Sequence, residues 1–398
     1  MGNYFFNLYV EINNSSYVFF VSENNEQNNF KIIYHLPVPL NGIDNNRISD
    51  LKTFFNTIKE NIYLIEQKLN YTFKEVVLIL DNFKPSFISL TGFKKLNGSQ
   101  VLRENITYIL NTLKSCVDKM ESNKHVLHIF NSKYNLDNKK VNNLPIGLFG
   151  DFYSHELSFS LINVNDYKNL KNIFNECNLK IKKVLLKSFI NGALVSESNE
   201  NVETFFKIKI EANNTKIFYF ENSSLKFEQD FEFGTDIILR DISKITLLKK
   251  DTIKKILDQV SLNNQIPEDE LVEKNFFIND NYRKIKKKLI YEIILARVIE
   301  ISEIIVFKNV NLQYSTKSLK HIFLELNNEF KHQNLKEIFE NTFFIKGFTH
   351  IKFTKESSNE SMLNTANRLV HFGWKKEAIP TSEIKKSLIG RFFEAIFD

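Results

Sequence analysis

Glycine, proline, cysteine and tryptophan are all scarce in this chain, at 11, 6, 2 and 1 among 398 residues. Each scarcity closes off a class of chemistry. Loops that cradle phosphate need glycine wherever backbone N–H groups must approach a ligand closely, so the low glycine count disfavours nucleotide chemistry from the outset. Two cysteines without paired spacing, Cys116 and Cys177, exclude a disulfide scaffold or a cysteine-rich zinc site and fit a reducing cytosol. A net formal charge of +6, from 53 basic and 47 acidic side chains, is too small to imply a dedicated nucleic-acid binder. No apolar run approaches the roughly 18 residues of a membrane span. The N-terminus has neither the basic region nor the small-residue cleavage site of a signal peptide. The expectation is a cytosolic protein unless one end attaches it to something.

What the chain does have is apolar substance. Hydrophobic residues make up 43% of it, with 38 Phe and 14 Tyr, enough for the two to four domains its length suggests. Two β-rich runs, Tyr4 to Ile12 and Tyr17 to Val21, flank the polar turn Asn13-Asn14-Ser15-Ser16 and read as a hairpin. A third strand (Phe30 to Leu36), a helix over Arg47 to Leu69 and the continuous apolar strand Glu75 to Asp81 complete an α/β pattern. From Lys84 the pattern becomes a small α+β insert. It has a short strand, a helix over Val101 to Met120, and strands at His125 to Phe130 and Glu156 to Ile162 separated by a polar loop. Helices are predicted over Asp166 to Glu176 and Lys182 to Val195, before a polar boundary at Glu197 to Asn201. The opening then repeats, as strand Phe205 to Ile210, turn Glu211-Ala212-Asn213-Asn214-Thr215, strand Lys216 to Phe220 and a third strand Leu225 to Phe233. Two such hairpins suggest a duplicated α/β fold. The remainder is mostly helical (Lys249 to Val260, Asn281 to Lys308, Gln333 to Asn341), with a strand at His321 to Leu326 and a last helix over Ser382 to Phe397.

In order and spacing, three stretches resemble the characteristic insert segment of the FtsA cell-division family, within the actin-like ATPase superfamily. They are Val126-Leu127-His128-Ile129, Tyr134-Asn135-Leu136-Asp137 and Asn143-Leu144-Pro145-Ile146-Gly147-Leu148-Phe149-Gly150. Asn178-Leu179, Lys183 to Leu186, Asp241-Ile242 after Phe233-Gly234, and Ala296-Arg297 with Glu300-Ile301 continue the resemblance along nearly the whole chain. It implies a duplicated actin-like (ribonuclease-H-like) α/β fold. Residues 1–83 with 165–200 would be the first α/β subdomain, 84–164 the α+β insert, and 201–235 with 315–375 the second α/β subdomain. Residues 236–314 would be a smaller FtsZ-docking subdomain, and 376–398 a linker and amphipathic membrane helix. The resemblance also implies partners: the tail peptide of the tubulin homologue FtsZ, an anionic membrane surface, further copies of the chain in filaments, and downstream division proteins. The place would be the cytoplasmic face of the inner membrane at the division site.

The phosphate loops are where this sequence departs from that superfamily, whose two hairpin turns carry Gly and Ser or Thr, with an acid to orient magnesium or water. In the first hairpin Asp-x-Gly-Thr is matched by Glu11-Ile12-Asn13-Asn14-Ser15, so the acid and a hydroxyl remain and the glycine does not. In the second, Asp-x-Gly-Gly-Gly-Thr-Thr-Asp is matched by Lys209-Ile210-Glu211-Ala212-Asn213-Asn214-Thr215-Lys216. Lysine stands at both acid positions, and Glu211 enters the cradle, where a carboxylate opposes a triphosphate. The base-binding glycine run after the strand at 321 becomes Leu326-Asn327-Asn328-Glu329. Asparagine tolerates left-handed turns, so the hairpins can fold without glycine. The expectation is a remnant pocket with no cofactor, ATP and magnesium being disfavoured.

Other catalytic signatures are missing: there is no Walker loop, no nucleophile elbow and no His-Glu-x-x-His. At about 100° per residue, the last helix puts Ile384, Leu388, Ile389, Phe392, Phe393 and Ile396 on one arc with Phe397 at its edge. Lys386 and Arg391 lie opposite, with Lys385 on the first turn. An interfacial membrane helix needs such faces, with Phe for the acyl boundary and Lys or Arg for anionic head groups; docking on the protein's own core is the alternative. The basic run Arg283-Lys284-Ile285-Lys286-Lys287-Lys288 reads by itself as a solvated face, and without interleaved aromatics it disfavours nucleic acid. The resemblance implies instead that Arg283, Lys287 and Lys288 meet the FtsZ tail and that Arg297 sits at subunit contacts. The function expected is an adaptor that tethers FtsZ filaments to the membrane without ATP turnover. The alternatives are an actin-like scaffold of pilus or secretion assembly and, from another class, an ATP-dependent kinase of this fold, which would need intact phosphate hairpins.

Overall fold

The computed structural model describes residues 5–24, 30–44, 46–199, 202–277, 280–312, 321–327 and 333–378. It forms two compact units, one running to Lys187 and resuming at Asn367, the other comprising Ser188–Ala366.

The first unit opens with the strands Phe5–Ile12 (β1), Ser16–Asn24 (β2) and Phe30–Pro39 (β3). A small hairpin, Ile43–Asp44 (β4) with Arg47–Ile48 (β5), precedes the helix Leu51–Leu69 (α1). The helix expected from Arg47 starts later because the Asp50 carboxylate caps it, accepting from the Thr53 N–H (3.1 Å) and the Thr53 hydroxyl (2.6 Å). Phe54, Ile58, Ile62 and Ile65 form its buried stripe. Strand Glu75–Leu80 (β6) is buried along nearly its whole length, as a continuous apolar run requires.

Next come Ser86–Lys95 (β7), Arg103–Met120 (α2), Lys124–Leu136 (β8), Lys139–Val141 (β9) and Phe152–Asn163 (β10). Their antiparallel sheet has the order β7-β10-β8-β9. Ile109, Leu113 and Val117 of α2 share a core with Tyr153, Leu157 and Phe159 of β10. The polar loop expected after Phe130 is a strand continuation and a hairpin. Asp137 and Asn138 both take positive φ (51° and 63°), the geometry of a two-residue turn whose twist matches the flanking strands.

The helix Val164–Glu176 (α3) leads to the strand Lys180–Leu186 (β11) and the helix Lys187–Ser198 (α4). The helix expected over Lys182 to Val195 is thus corrected. Four of its first five residues, Lys183 to Leu186, pair in parallel with β6, Leu186 opposite Leu80, and this tertiary pairing overrides a local spacing that also suits a helix. The first sheet has the order β3-β2-β1-β6-β11, antiparallel through the hairpins and parallel from β1 onward.

The second unit repeats this layout. Phe205–Ile210 (β12), Thr215–Glu221 (β13) and Ser224–Phe231 (β14) are followed by the helices Asp236–Thr246 (α5), Lys250–Gln259 (α6) and Lys287–Ser302 (α7). Strand His321–Leu326 (β15), helix Gln333–Ile345 (α8), strand His350–Phe353 (β16) and the part of helix Asn359–His371 (α9) up to Ala366 complete it. The sheet order β14-β13-β12-β15-β16 matches the first, with β12, β15 and β16 parallel. The duplication expected from the two hairpins is present. The helix expected from Asn281 begins at Lys287, because Leu271 bridges Lys286 and Val272 N–H donates to Ile285 C=O, holding the preceding residues extended. The terminal helix expected over Ser382 to Phe397 lies outside the described residues.

One core residue carries a pH signature. His155 on β10 is fully buried between Tyr134 and Tyr153, and neither ring nitrogen has a hydrogen-bond partner. Burial, helped by the nearby Lys376 charge and opposed by Glu156, pulls its pKa down to about 4. The unfolded chain therefore binds a proton near pH 6.5 that the folded chain refuses until about pH 4, so stability falls across that window as pH drops. The loss expected is on the order of 3 kcal/mol. Urea midpoints at pH 7 and pH 4.5 should diverge less for His155→Leu than for the parent; equal divergence would remove His155 from the acid response.

Candidate functional site

In each unit three parallel strands end side by side, and charged residues follow from that register. In the first unit Glu11 on β1 pairs with Ile79 of β6, the Asp81 N–H donates to Ile12 C=O, and Lys187 directly follows β11. The three side chains converge. Lys187 Nζ lies 2.7 Å from Glu11 Oε1 and 3.2 Å from Asp81 Oδ2, with Glu11 buried. Burial opposes the Lys187 charge, but Asp81 and Glu11 outweigh it and hold the ammonium well above the usual lysine range.

The adjoining turn is closed by its own side chain. Asn13 Oδ1 accepts from the backbone N–H of Ser15 (2.9 Å) and of Ser16 (2.8 Å), and from both serine hydroxyls (3.2 and 3.1 Å). Asn14 and Ser15 are exposed at the tip. The donors that a phosphate would need are already turned onto the asparagine.

The second unit carries a larger cluster at the matching strand ends. Lys209 on β12 stands 2.7 Å from Glu211, 2.9 Å from Glu356 and 3.8 Å from Glu325, its register partner on β15. Lys207 meets Glu325 at 2.8 Å and also donates to Thr354 just past β16. Burial draws the Lys207 ammonium below the usual range against the pull of Glu325, whereas for Lys209 the Glu211 and Glu356 bonds outweigh burial and raise it. Each cluster has one more carboxylate than ammonium: Glu11 and Asp81 against Lys187, and Glu211, Glu325 and Glu356 against Lys207 and Lys209. A polyphosphate would face net negative charge at both sites.

The second turn is also locked from outside. Glu211 and Ala212 carbonyls accept from the Thr235 and Asp236 N–H groups (2.8 Å each), and a Cβ at Gly234 would fall 2.1 Å from Glu211 O, so only glycine fits there. Asn213 and Asn214 are exposed, while Thr215 is buried and donates to Phe233 C=O. Lys216 turns to Glu228 (3.2 Å) and Asp230 (3.6 Å). The Asn327 N–H donates to Ile210 C=O, which sets the end of β15 beside the hairpin; Asn328 lies outside the described residues. Among the described residues no three carboxylate, imidazole or thiolate groups converge as metal ligands.

The two expected docking features are already occupied within the second unit. Lys286, Lys287 and Lys288 pair with Asp269 (3.0 Å), Glu270 (2.7 Å) and Glu268 (2.6 Å), while Arg283 reaches Thr246 C=O. At the surface, solvent screening leaves such pairs little to contribute to stability. Arg297 on α7 grips Asp241 of α5 through Nε and Nη2 and meets Glu300 through Nη1, so three separate residues of the sequence resemblance form one ion-pair group. The membrane-helix residues Lys385, Lys386, Leu388, Ile389, Arg391, Phe392, Phe393, Ile396 and Phe397 lie outside the described residues.

Comparisons with known proteins agree with this layout. No family model matches the sequence. The chain is 24% identical over 314 residues to "Cell division protein FtsA" of Buchnera aphidicola subsp. Schizaphis graminum, covering 78% of this chain and 73% of that protein. It is 22% identical over 306 residues to the protein of that name from Buchnera aphidicola subsp. Acyrthosiphon pisum, covering 76% and 73%. The chain resembles cell division protein FtsA. Its fold is actin-like. A chain of the PilM–PilN type IV pilus biogenesis complex superposes with a TM-score of 0.51 at 10% identity, over 92% of this chain and 96% of that one. At such identity this likeness shows fold alone.

Sequence reasoning found Glu11, Lys209 and Glu211 but missed Asp81, Lys187, Lys207, Glu325 and Glu356. The available signal was position for Asp81, Lys187 and Glu325, which stand at or next to the carboxyl end of a parallel strand, where ligands of open α/β sheets bind. Lys187→Met should cost about 3 kcal/mol of stability, because it removes the ammonium that faces the buried Glu11 carboxylate. Urea denaturation at pH 7 measures this; a loss under about 1 kcal/mol, the value of an exposed pair, would mean the triad contributes little.

Proposed function

We propose that the chain is a division adaptor that ties FtsZ filaments to the inner face of the cytoplasmic membrane and does so without turning over ATP. The similarity to cell division protein FtsA supports the division role. The observation that carries the second part is the self-closure of both strand-end sites, by Lys187 and Asn13 in the first unit and by Lys207 and Lys209 in the second. No helix among the described residues is long and apolar enough to cross a membrane, so the attachment proposed is peripheral, through the amphipathic pattern at 382–398.

The FtsZ tail is placed, on this reading, on the basic run, where its carboxylates would displace Glu268 and Glu270 from Lys288 and Lys287. Self-association and recruitment of downstream division proteins complete the role that the family resemblance implies. The likeness to the pilus biogenesis complex supplies no partner and supports no second reading.

Reconstitution tests the proposal. With phosphatidylglycerol vesicles and no ATP beyond the GTP that FtsZ uses, the full-length chain should carry FtsZ filaments into the vesicle pellet. Filaments that stay in the supernatant, or that pellet only when ATP is added, would contradict it.

A further inference from the structure

The helix α9 does not run freely into the tail. The Phe372 N–H still bonds Arg368 C=O (2.8 Å), Gly373 then takes φ +72°, and the Glu377 N–H closes a turn on Trp374 C=O (2.9 Å). The chain next joins β8 as an added strand. The Asn131 N–H donates to Lys376 C=O and the Ala378 N–H to Ile129 C=O, both at 2.7 Å, with Glu377 opposite Phe130. This is the edge of β8 that β9 occupies further along, at Tyr134 to Leu136. Lys376 stitches the two pieces, its ammonium 4.9 Å from the Tyr134 ring centre and 3.4 Å from Asn142 C=O.

Two acids of this region are engaged by neighbouring groups. The Glu377 side chain is 8% exposed, with Oε1 3.0 Å from His128 Nδ1 and Oε2 2.7 Å from Lys183 Nζ. Burial keeps His128 neutral, and its Nε2 accepts from the Leu186 N–H, which leaves Nδ1–H to donate to Glu377. The Asp137 carboxylate accepts from the Asp151 and Phe152 N–H groups (2.8 and 2.9 Å). Asp137 and Asp151 are exposed, and so are aromatic and basic groups. Phe372 is 66% exposed, Trp374 is half-buried with Lys375 Nζ 5.9 Å from its ring, and Lys139 and Lys140 are exposed on β9.

We propose that residues 372–376 and the β8–β9 hairpin form a second membrane-contact surface, in which Phe372 and Trp374 meet the interfacial layer while Lys139, Lys140 and Lys375 meet anionic head groups. The inference rests on the tether reading above. Aromatic rings flanked by lysines suit the membrane interface, where rings settle at head-group depth and ammoniums stay in water. The surface also lies at the root of the expected tether, since the chain leaves the described structure at Ala378, a few residues before the amphipathic pattern begins. A tail already on the bilayer delivers this surface at high effective concentration, so modest intrinsic affinity suffices. The Glu377 lock fixes which face of the first unit is presented.

The chain's single tryptophan is Trp374, which gives the test a native reporter. Full-length protein mixed with phosphatidylglycerol-containing vesicles should show a blue shift of Trp374 emission and quenching by brominated lipid, with little response to pure phosphatidylcholine. Lys139→Glu with Lys140→Glu and Lys375→Glu should weaken vesicle binding roughly tenfold or more and abolish the quenching. If vesicles pellet the protein while Trp374 emission is unchanged, this surface is overturned and the tether stands. If the protein stays in the supernatant and Trp374 is silent, both fall. An equal response to neutral and anionic vesicles would overturn the role given to the lysines.

Discussion

A charge removed from water must be neutralised where it sits, and in this chain that constraint falls on the carboxyl ends of two sets of parallel strands. The register of β1, β6 and β11 brings Glu11, Asp81 and Lys187 together, and the register of β12, β15 and β16 does the same for Lys207, Lys209, Glu325 and the residues around Glu356. In an open α/β sheet this edge is where a ligand would supply the balancing charge. Here the protein's own ammonium groups supply part of it, one charge short in each cluster. The Asn13 and Gly234 contacts hold the two turns closed.

How much of this was legible follows from how local each determinant is. Both hairpins, the buried strand at 75–80 and the helical stripe through Phe54 and Ile65 are read from alternation and spacing that the neighbouring residues themselves impose. The start of α1 was misplaced because Ile48 continues the apolar spacing, while the Asp50 cap depends on a single side chain. The strand at 180–186 was misread because Val184, Leu185 and Leu186 suit either period, and only parallel pairing with β6 decides between them. Lys187 was not legible for a related reason. A lysine directly after an apolar strand reads as a solvated turn until strand register sets it against two carboxylates.

The same reasoning explains the chain's exit. Lys376, Glu377 and Ala378, expected as the start of a linker, instead complete the outer edge of β8, with the Glu377 carboxylate satisfied by one imidazole and one ammonium. An edge strand left open invites pairing with other chains, and the added segment covers part of that edge. The tail thus departs from a fixed point on the first unit, and the outward lysines and rings around that point acquire a defined direction.

The closure of both strand-end sites by the chain's own side chains is tested most directly by calorimetric titration of the full-length protein with ATP and magnesium at millimolar concentration. The account predicts no saturable heat and no rise in melting temperature, since a ligand stabilises only in proportion to its occupancy of the native state. Magnesium-dependent binding that raises the melting temperature by several degrees, and that Glu11→Ala abolishes, would contradict it.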